Sequence, residues 1–67
     1  MYEVYSISNC PFCDRAKELL RETGEGFTEY AIDIQRSLGK SIMERSMMST
    51  VPIIYRNDVF IGGYNDL

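Results

Sequence analysis

Apolar and polar positions alternate over the first seven residues. Tyr2, Val4 and Ser6 fall on one side, and Glu3, Tyr5 and Ile7 on the other. The stretch is rich in strand formers and predicts a first strand. The period then changes. From position 11 to 22, Phe12, Ala16, Leu19 and Leu20 form one stripe, while Asp14, Arg15, Lys17, Glu18, Arg21 and Glu22 fill the rest, which predicts an amphipathic helix of about three turns. Pro11 suits its first turn, where a missing N–H costs nothing, and Gly24 suits its end. Residues 27–34 read as a second strand with Tyr30, Ile32 and Ile34 on one face. Strand, helix, strand in so short a span implies parallel pairing and a right-handed crossover. Leu38, Ile42, Met43 and Met47 predict a second helix despite Gly39. Residues 51–56 and 59–61 then read as a hairpin about Asn57 and Asp58, which tolerate the positive φ of such turns. Gly62 and Gly63 end the last strand, and Asn65 or Asp66 is expected to cap a further helix, for which the sequence ending at Leu67 leaves no room. The predicted order is β-α-β-α-β-β, without repeat, linker or low-complexity segment.

Composition narrows the class. The chain has 67 residues, 45% of them hydrophobic, enough for one small domain over residues 1–67 and too many for disorder. A domain this small buries only about 60% of the surface of its unfolded chain, so its stability is marginal. The net charge is −3 and the seven Lys and Arg residues are dispersed, which argues against a nucleic-acid partner. No apolar run is long enough for a membrane span, and the N-terminus lacks a basic leader, so the expected setting is intracellular and cytoplasmic.

Within that setting the two cysteines stand out. Cys10 and Cys13, in "SNCPFCDRAKELL", are the only cysteines, and there is no histidine. Cys10 falls at the amino end of the first predicted helix, where free N–H groups and the helix dipole stabilise a thiolate. Its pKa is expected below the free value of roughly 8.5, making it a nucleophile near neutrality and later a good leaving group. Cys13, one turn in and more buried, is expected to be the thiol that attacks a mixed disulfide on Cys10. A structural disulfide closing so small a loop would stabilise little, and a reducing compartment disfavours it. A zinc site needs four ligands where this chain offers two, so only a dimer could complete it. Cys-x-x-Cys between a strand and a helix therefore favours redox chemistry, with no resident metal.

Three segments, in order, resemble the glutaredoxin family of the thioredoxin fold. "CPFC" resembles its Cys-Pro-Tyr-Cys, "STVPIIY" its Thr-Val-Pro segment with a cis proline, and "IGGYNDL" its Gly-Gly-x-x-Asp ending; "RAKELL" is family-like as well. The resemblance implies an α/β thioredoxin-like fold with a central four-stranded mixed sheet flanked by helices. It implies a glutathione-dependent thiol–disulfide oxidoreductase with Cys10 attacking and Cys13 resolving, at a potential of roughly −200 to −230 mV. Thr50, Val51 and Pro52 would form the loop facing the disulfide, the Val51 backbone pairing with the cysteinyl part of glutathione. Tyr64, Asn65 and Asp66 would hold its γ-glutamyl end, and Phe12 and Gly63 would also belong to the glutathione site. Free N–H groups at the last turn suit a carboxylate, and Asp66 suits an ammonium. Glutathione would be a co-substrate, with no tightly bound cofactor. Disulfide-containing proteins would be the other partners, ribonucleotide reductase being a common client of the family.

The chain departs from the pattern in three places. Ile7 stands where the family commonly has a lysine for the glycine carboxylate of glutathione, leaving Arg15 or Lys17 as substitutes. Phe12 lacks the tyrosine hydroxyl. The family's final helix has no counterpart, so an apolar face is expected to be exposed, consistent with a monomer or a weak dimer. Two alternatives stay open: a redoxin reduced by a thioredoxin-reductase-type flavoenzyme, and a non-enzymatic dimer bridged by a [2Fe–2S] cluster, acting as carrier or sensor. Elsewhere, Met43, Met47 and Met48 read as gap fillers in the core, Tyr2, Tyr5 and Tyr30 as packing residues with a polar tip, and Asp33 as a solvent-facing strand end.

Overall fold

The computed structural model describes residues 1–67. Strand β1 (Tyr2–Ser6) leads into helix α1 (Pro11–Glu22), β2 (Phe27–Ala31), α2 (Arg36–Ser46), β3 (Ile53–Arg56) and β4 (Val59–Gly62), and a 3₁₀ turn, Tyr64–Asp66, follows. The sheet order is β2-β1-β3-β4. β1 runs parallel to β2 and antiparallel to β3, and β3 is antiparallel to β4, so the sheet is mixed. This is the thioredoxin-like arrangement, a four-stranded mixed sheet, that the family resemblance implies.

β1 is central, and both its faces are covered. Tyr5 lies opposite Ile53, and Val4 opposite Ile54. Tyr5, Ile53 and Tyr55 pack with Ile32 and with Ile42 of α2 on one face. Val4 and Ile54 look the other way, where α1 supplies the buried Cys13, Ala16 and Leu20. Burial on both sides explains why Val4, Tyr5 and Ser6 are all inaccessible in a strand whose sequence alternates. Four aromatic rings cross the sheet: Tyr30 stacks on Tyr5 (5.0 Å), Tyr5 meets Tyr55 edge-on (6.1 Å), and Tyr55 meets Phe60 (5.4 Å).

Local chemistry sets the ends of α1. Pro11 is its first residue. At the far end the Gly24 N–H donates to the Arg21 carbonyl and the Glu25 N–H to that of Leu20, with Gly24 at φ 75°, a Schellman closure. Asn57 and Asp58 turn the hairpin with φ of 49° and 67°, both left-handed as a type I′ turn requires.

Several expectations need correction. β2 ends at Ala31, and Ile34 is 77% exposed rather than on the inner face. The N–H groups of Ile34 and Gln35 both donate to the Ala31 carbonyl, so the chain turns there. Phe12 is half-exposed, because the buried stripe of α1 runs through Cys13, Ala16 and Leu20 instead. Met47 is 91% exposed: it caps α2 in a left-handed conformation (φ 60°), while Met43 and Met48 do pack on the core. Gly39 is no liability. A Cβ there would lie 3.0 Å from Ile32 Cβ and 3.1 Å from its carbonyl oxygen, so glycine is what lets α2 seat against the chain after β2. The cap of the last turn is Gly63, not Asn65 or Asp66. No helix follows Asp66 in this sequence, and a groove of about 310 Å³ lies between Tyr2, Leu19, Leu20 and Leu67.

A polar contact ties α1 to β2. Glu29 accepts hydrogen bonds from Lys17 Nζ (2.8 Å) and from the buried Ser6 hydroxyl (2.6 Å). The Lys17 bond, then that from Ser6, holds the Glu29 carboxyl below its ordinary range, and the bond to Glu29 holds the Lys17 ammonium above its own. Glu29 titrates near 4.5 when unperturbed. Its contribution is therefore complete above that pH and is lost as pH falls through the lower folded value. The Lys17 contribution is complete below 10.5 and is lost as pH rises through the higher folded value. The pair is partly exposed and salt-screened, worth at most about 1 kcal/mol. Thermal melts of wild type and Lys17→Met are expected to differ at neutral pH and to converge in acid as Glu29 protonates. A gap that stays constant into strong acid would refute the assignment.

Candidate active site

The β1–α1 loop delivers Cys10 to the N-cap of α1, with φ −118° and ψ 99°. Asn9 just before it is left-handed, at φ 55°. Cys10 is half-buried and Cys13 is 1% exposed. The two are joined as a disulfide, their Cα atoms 5.2 Å apart. Cys10 Sγ also accepts a hydrogen bond from the Cys13 N–H at 3.2 Å. That donor is one of the N–H groups a helix leaves unpaired in its first turn. In the reduced protein the same group would stabilise a thiolate on Cys10, in concert with the helix dipole.

Beside the cysteines lies a pocket of about 480 Å³. Three segments build it. Phe12 comes from α1. Thr50, Val51 and Pro52 come from the α2–β3 loop, where the Val51–Pro52 bond is cis. Gly63, Tyr64, Asn65 and Asp66 come from the last turn. The structure thus gathers in one concavity all eight residues that the family resemblance named around the cysteine pair. Met48, expected as a gap filler of the core, forms part of the wall as well.

Aromatic and backbone contacts fix the rim. The Phe12 ring lies 5.9 Å from that of Tyr64, joining α1 to the last turn. Asp66 Oδ2 accepts from the Gly63 N–H at 2.9 Å, which closes that turn. Gly62 sits at φ 131°, and a Cβ there would collide with the Asp66 carboxylate, so the glycine makes room for the closure. The two cations considered as substitutes for the missing lysine separate. Lys17 is committed to Glu29, with Asp14 3.5 Å away, which corrects its proposed role. Arg15 lies over the Phe12 ring, 5.2 Å from its centroid, at the edge of the pocket. No group of three or more His, Cys, Asp or Glu side chains is placed to hold a metal ion.

A Cys-x-x-Cys dithiol at a helix N-terminus on this sheet topology defines a thioredoxin-fold disulfide oxidoreductase. The comparisons with known proteins narrow the class. The Glutaredoxin family model matches residues 2–61. Glutaredoxin 3 of Escherichia coli K12 is 40% identical over 65 residues, covering 97% of this chain and 78% of that protein. Among solved structures, wheat glutaredoxin superposes with a TM-score of 0.88 at 31% identity over 97% of this chain; the match spans 64% of the wheat chain. A dithiolic glutaredoxin of Trypanosoma brucei brucei gives a TM-score of 0.84 at 34% identity, covering 97% of this chain and 70% of that one. The chain belongs to the glutaredoxin family, and its activity is that of a glutaredoxin-type disulfide oxidoreductase. No helix of the structure is long and apolar enough to cross a membrane.

Proposed function

We propose that this glutaredoxin takes its electrons from glutathione and passes them to protein disulfides and glutathione mixed disulfides, in the cytoplasm where that thiol is abundant. The observation that carries the reading is the pocket: a peptide-sized concavity beside the dithiol, lined by Phe12, Thr50, Val51, Pro52, Gly63, Tyr64, Asn65 and Asp66. An extended tripeptide lying there would pair with the Val51 backbone as an added strand. Its γ-glutamyl ammonium would meet the carboxylate of Asp66. Ribonucleotide reductase is one candidate among the protein clients.

In the proposed cycle the Cys10 thiolate attacks one sulfur of the substrate disulfide. A mixed disulfide forms and the other substrate sulfur leaves as a thiolate. Cys13, having lost its proton, attacks Cys10 Sγ; the Cys10–Cys13 disulfide forms and the second substrate thiol is released. A glutathione thiolate then opens that disulfide at Cys10. A second glutathione attacks the Cys10–glutathione bond, so glutathione disulfide leaves and both cysteines are reduced.

The test is reduction of hydroxyethyl disulfide with glutathione, glutathione reductase and NADPH. Turnover is expected, and Asp66→Asn is expected to raise the KM for glutathione by about ten-fold through loss of one charged contact. Ile7 in place of a lysine, with Lys17 held by Glu29, is the observation favouring a flavoenzyme donor instead. Turnover with thioredoxin reductase and none with glutathione would establish that second reading.

A further inference from the structure

The loop that carries the nucleophile is held at one point. Residues Ile7, Ser8 and Asn9 are exposed, and the hydrogen bond found for them is that of the Ser8 N–H to Asp33 Oδ2, at 3.1 Å. The geometry of the sheet explains the partner. β1 and β2 pair in parallel up to Ser6 and Ala31, and the Ile32 N–H still donates to the Ser6 carbonyl at 2.9 Å. If the ladder continued, the next bond would run from the Ser8 N–H to the Ile32 carbonyl. β2 turns away first, and the Asp33 carboxylate takes the place of that carbonyl. One residue further on, Asn9 reverses through a left-handed conformation, and Cys10 caps the helix that begins at Pro11.

We propose that Asp33 is a positioning residue for Cys10: its carboxylate staples the β1–α1 loop to the β2–α2 turn and so sets where the nucleophilic sulfur stands relative to the first N–H groups of α1. The inference rests on the reading of Cys10 as the attacking thiolate. The contact also leaves its mark on the carboxylate, since the Ser8 backbone N–H holds Asp33 below the ordinary carboxylate range. Asp33 is exposed, so a staple there acts on geometry rather than on core packing.

Two substitutions separate geometry from charge. Asp33→Asn keeps an oxygen that can accept from Ser8 and removes the charge; Asp33→Ala removes both. Disulfide reduction is measured for wild type, both variants and Cys10→Ser, and the ultraviolet titration of the Cys10 thiolate for wild type and the two Asp33 variants. Asp33→Ala is expected to lose about ten-fold in kcat/KM, less than the roughly 10²-fold that a 1 Å misplacement costs, and to titrate at higher pH. Asp33→Asn is expected to stay within about two-fold of wild type, with a melting temperature like that of Asp33→Ala. Equal behaviour of the two variants, whether both impaired or both normal, overturns the proposal. Activity retained in Cys10→Ser instead overturns the underlying reading of the nucleophile. Without any variant, the Ser8 amide resonance is expected to follow the titration of the Asp33 carboxyl, and its failure to move would sink the contact itself.

Discussion

Cys10→Ser is expected to reduce turnover to background with every disulfide substrate, a loss of several orders of magnitude as for other nucleophile deletions. The hydroxyl keeps the N-cap position but not the acidity; nothing at a helix N-terminus brings an alcohol into its anionic form near neutrality. Cys13→Ser is expected to behave differently. The buried position of residue 13 is retained while the sulfur proposed to resolve the adduct is lost. Protein disulfides that need Cys13 for release should stall as adducts on Cys10. Glutathione mixed disulfides should still turn over, because a second glutathione can attack the adduct directly. Mass spectrometry of Cys13→Ser after substrate addition reads this: a mass added at Cys10 is expected. An active Cys10→Ser protein, or an adduct found on Cys13 in the wild type, would reverse the assignment of the two thiols.

Ile53→Ala is expected to remove most of the stability of the fold. Ile53 is fully buried, faces Tyr5 across the β1–β3 pairing, and shares a cluster with Ile32, Ile42 and Tyr55. Truncating such a side chain costs about 2–5 kcal/mol through lost transfer energy and the cavity left behind. At roughly 0.05–0.15 kcal/mol per residue, a chain of this length has on the order of 3–10 kcal/mol in all. The expected fall in Tm is on the order of 10–30 °C, from about 4–8 °C per kcal/mol in a small domain. Activity should fall with it at assay temperature, since Ile53 directly follows Pro52 of the pocket loop. Met47→Ala is the control: its side chain is almost wholly in solvent, and its melt should lie within about 0.5 kcal/mol of wild type. A melt of Ile53→Ala within two or three degrees of that control, on the same scale, would show that the core does not depend on this contact.

The features legible in the sequence were those whose causes are local. Cys-x-x-Cys after a strand, Pro11 at a helix start, Gly24 at its end and Asn57-Asp58 between two apolar runs each act within a few residues, and the structure places each as read. The misreadings share one origin. Ile34 continues the alternation of Tyr30 and Ile32, but the strand ends because the Ala31 carbonyl takes two turn N–H groups while Asp33 is drawn to Ser8. Phe12 completes a helical stripe on paper, but the buried stripe runs through Cys13, Ala16 and Leu20, and the Phe12 ring meets that of Tyr64, 52 positions away, instead. Gly39 reads as a defect until Ile32 is seen against it. Lys17 reads as a free cation until Glu29 arrives from β2. The grouping of the eight pocket residues was legible only through the family resemblance, since no pattern within the chain relates position 12 to positions 50–52 and 63–66.

The left-handed turn at Met47 gives two adjacent thioethers opposite surroundings: Met47 projects into solvent, while Met48 packs on the core and forms part of the pocket wall. A peroxide meets Met47 first, and a sulfoxide there leaves every packed contact intact. The same oxygen on Met48 would place a polar, chiral group in the wall of the pocket and against the core. Of the two thioethers, it is therefore Met48 whose oxidation is expected to disturb the core and the pocket wall together.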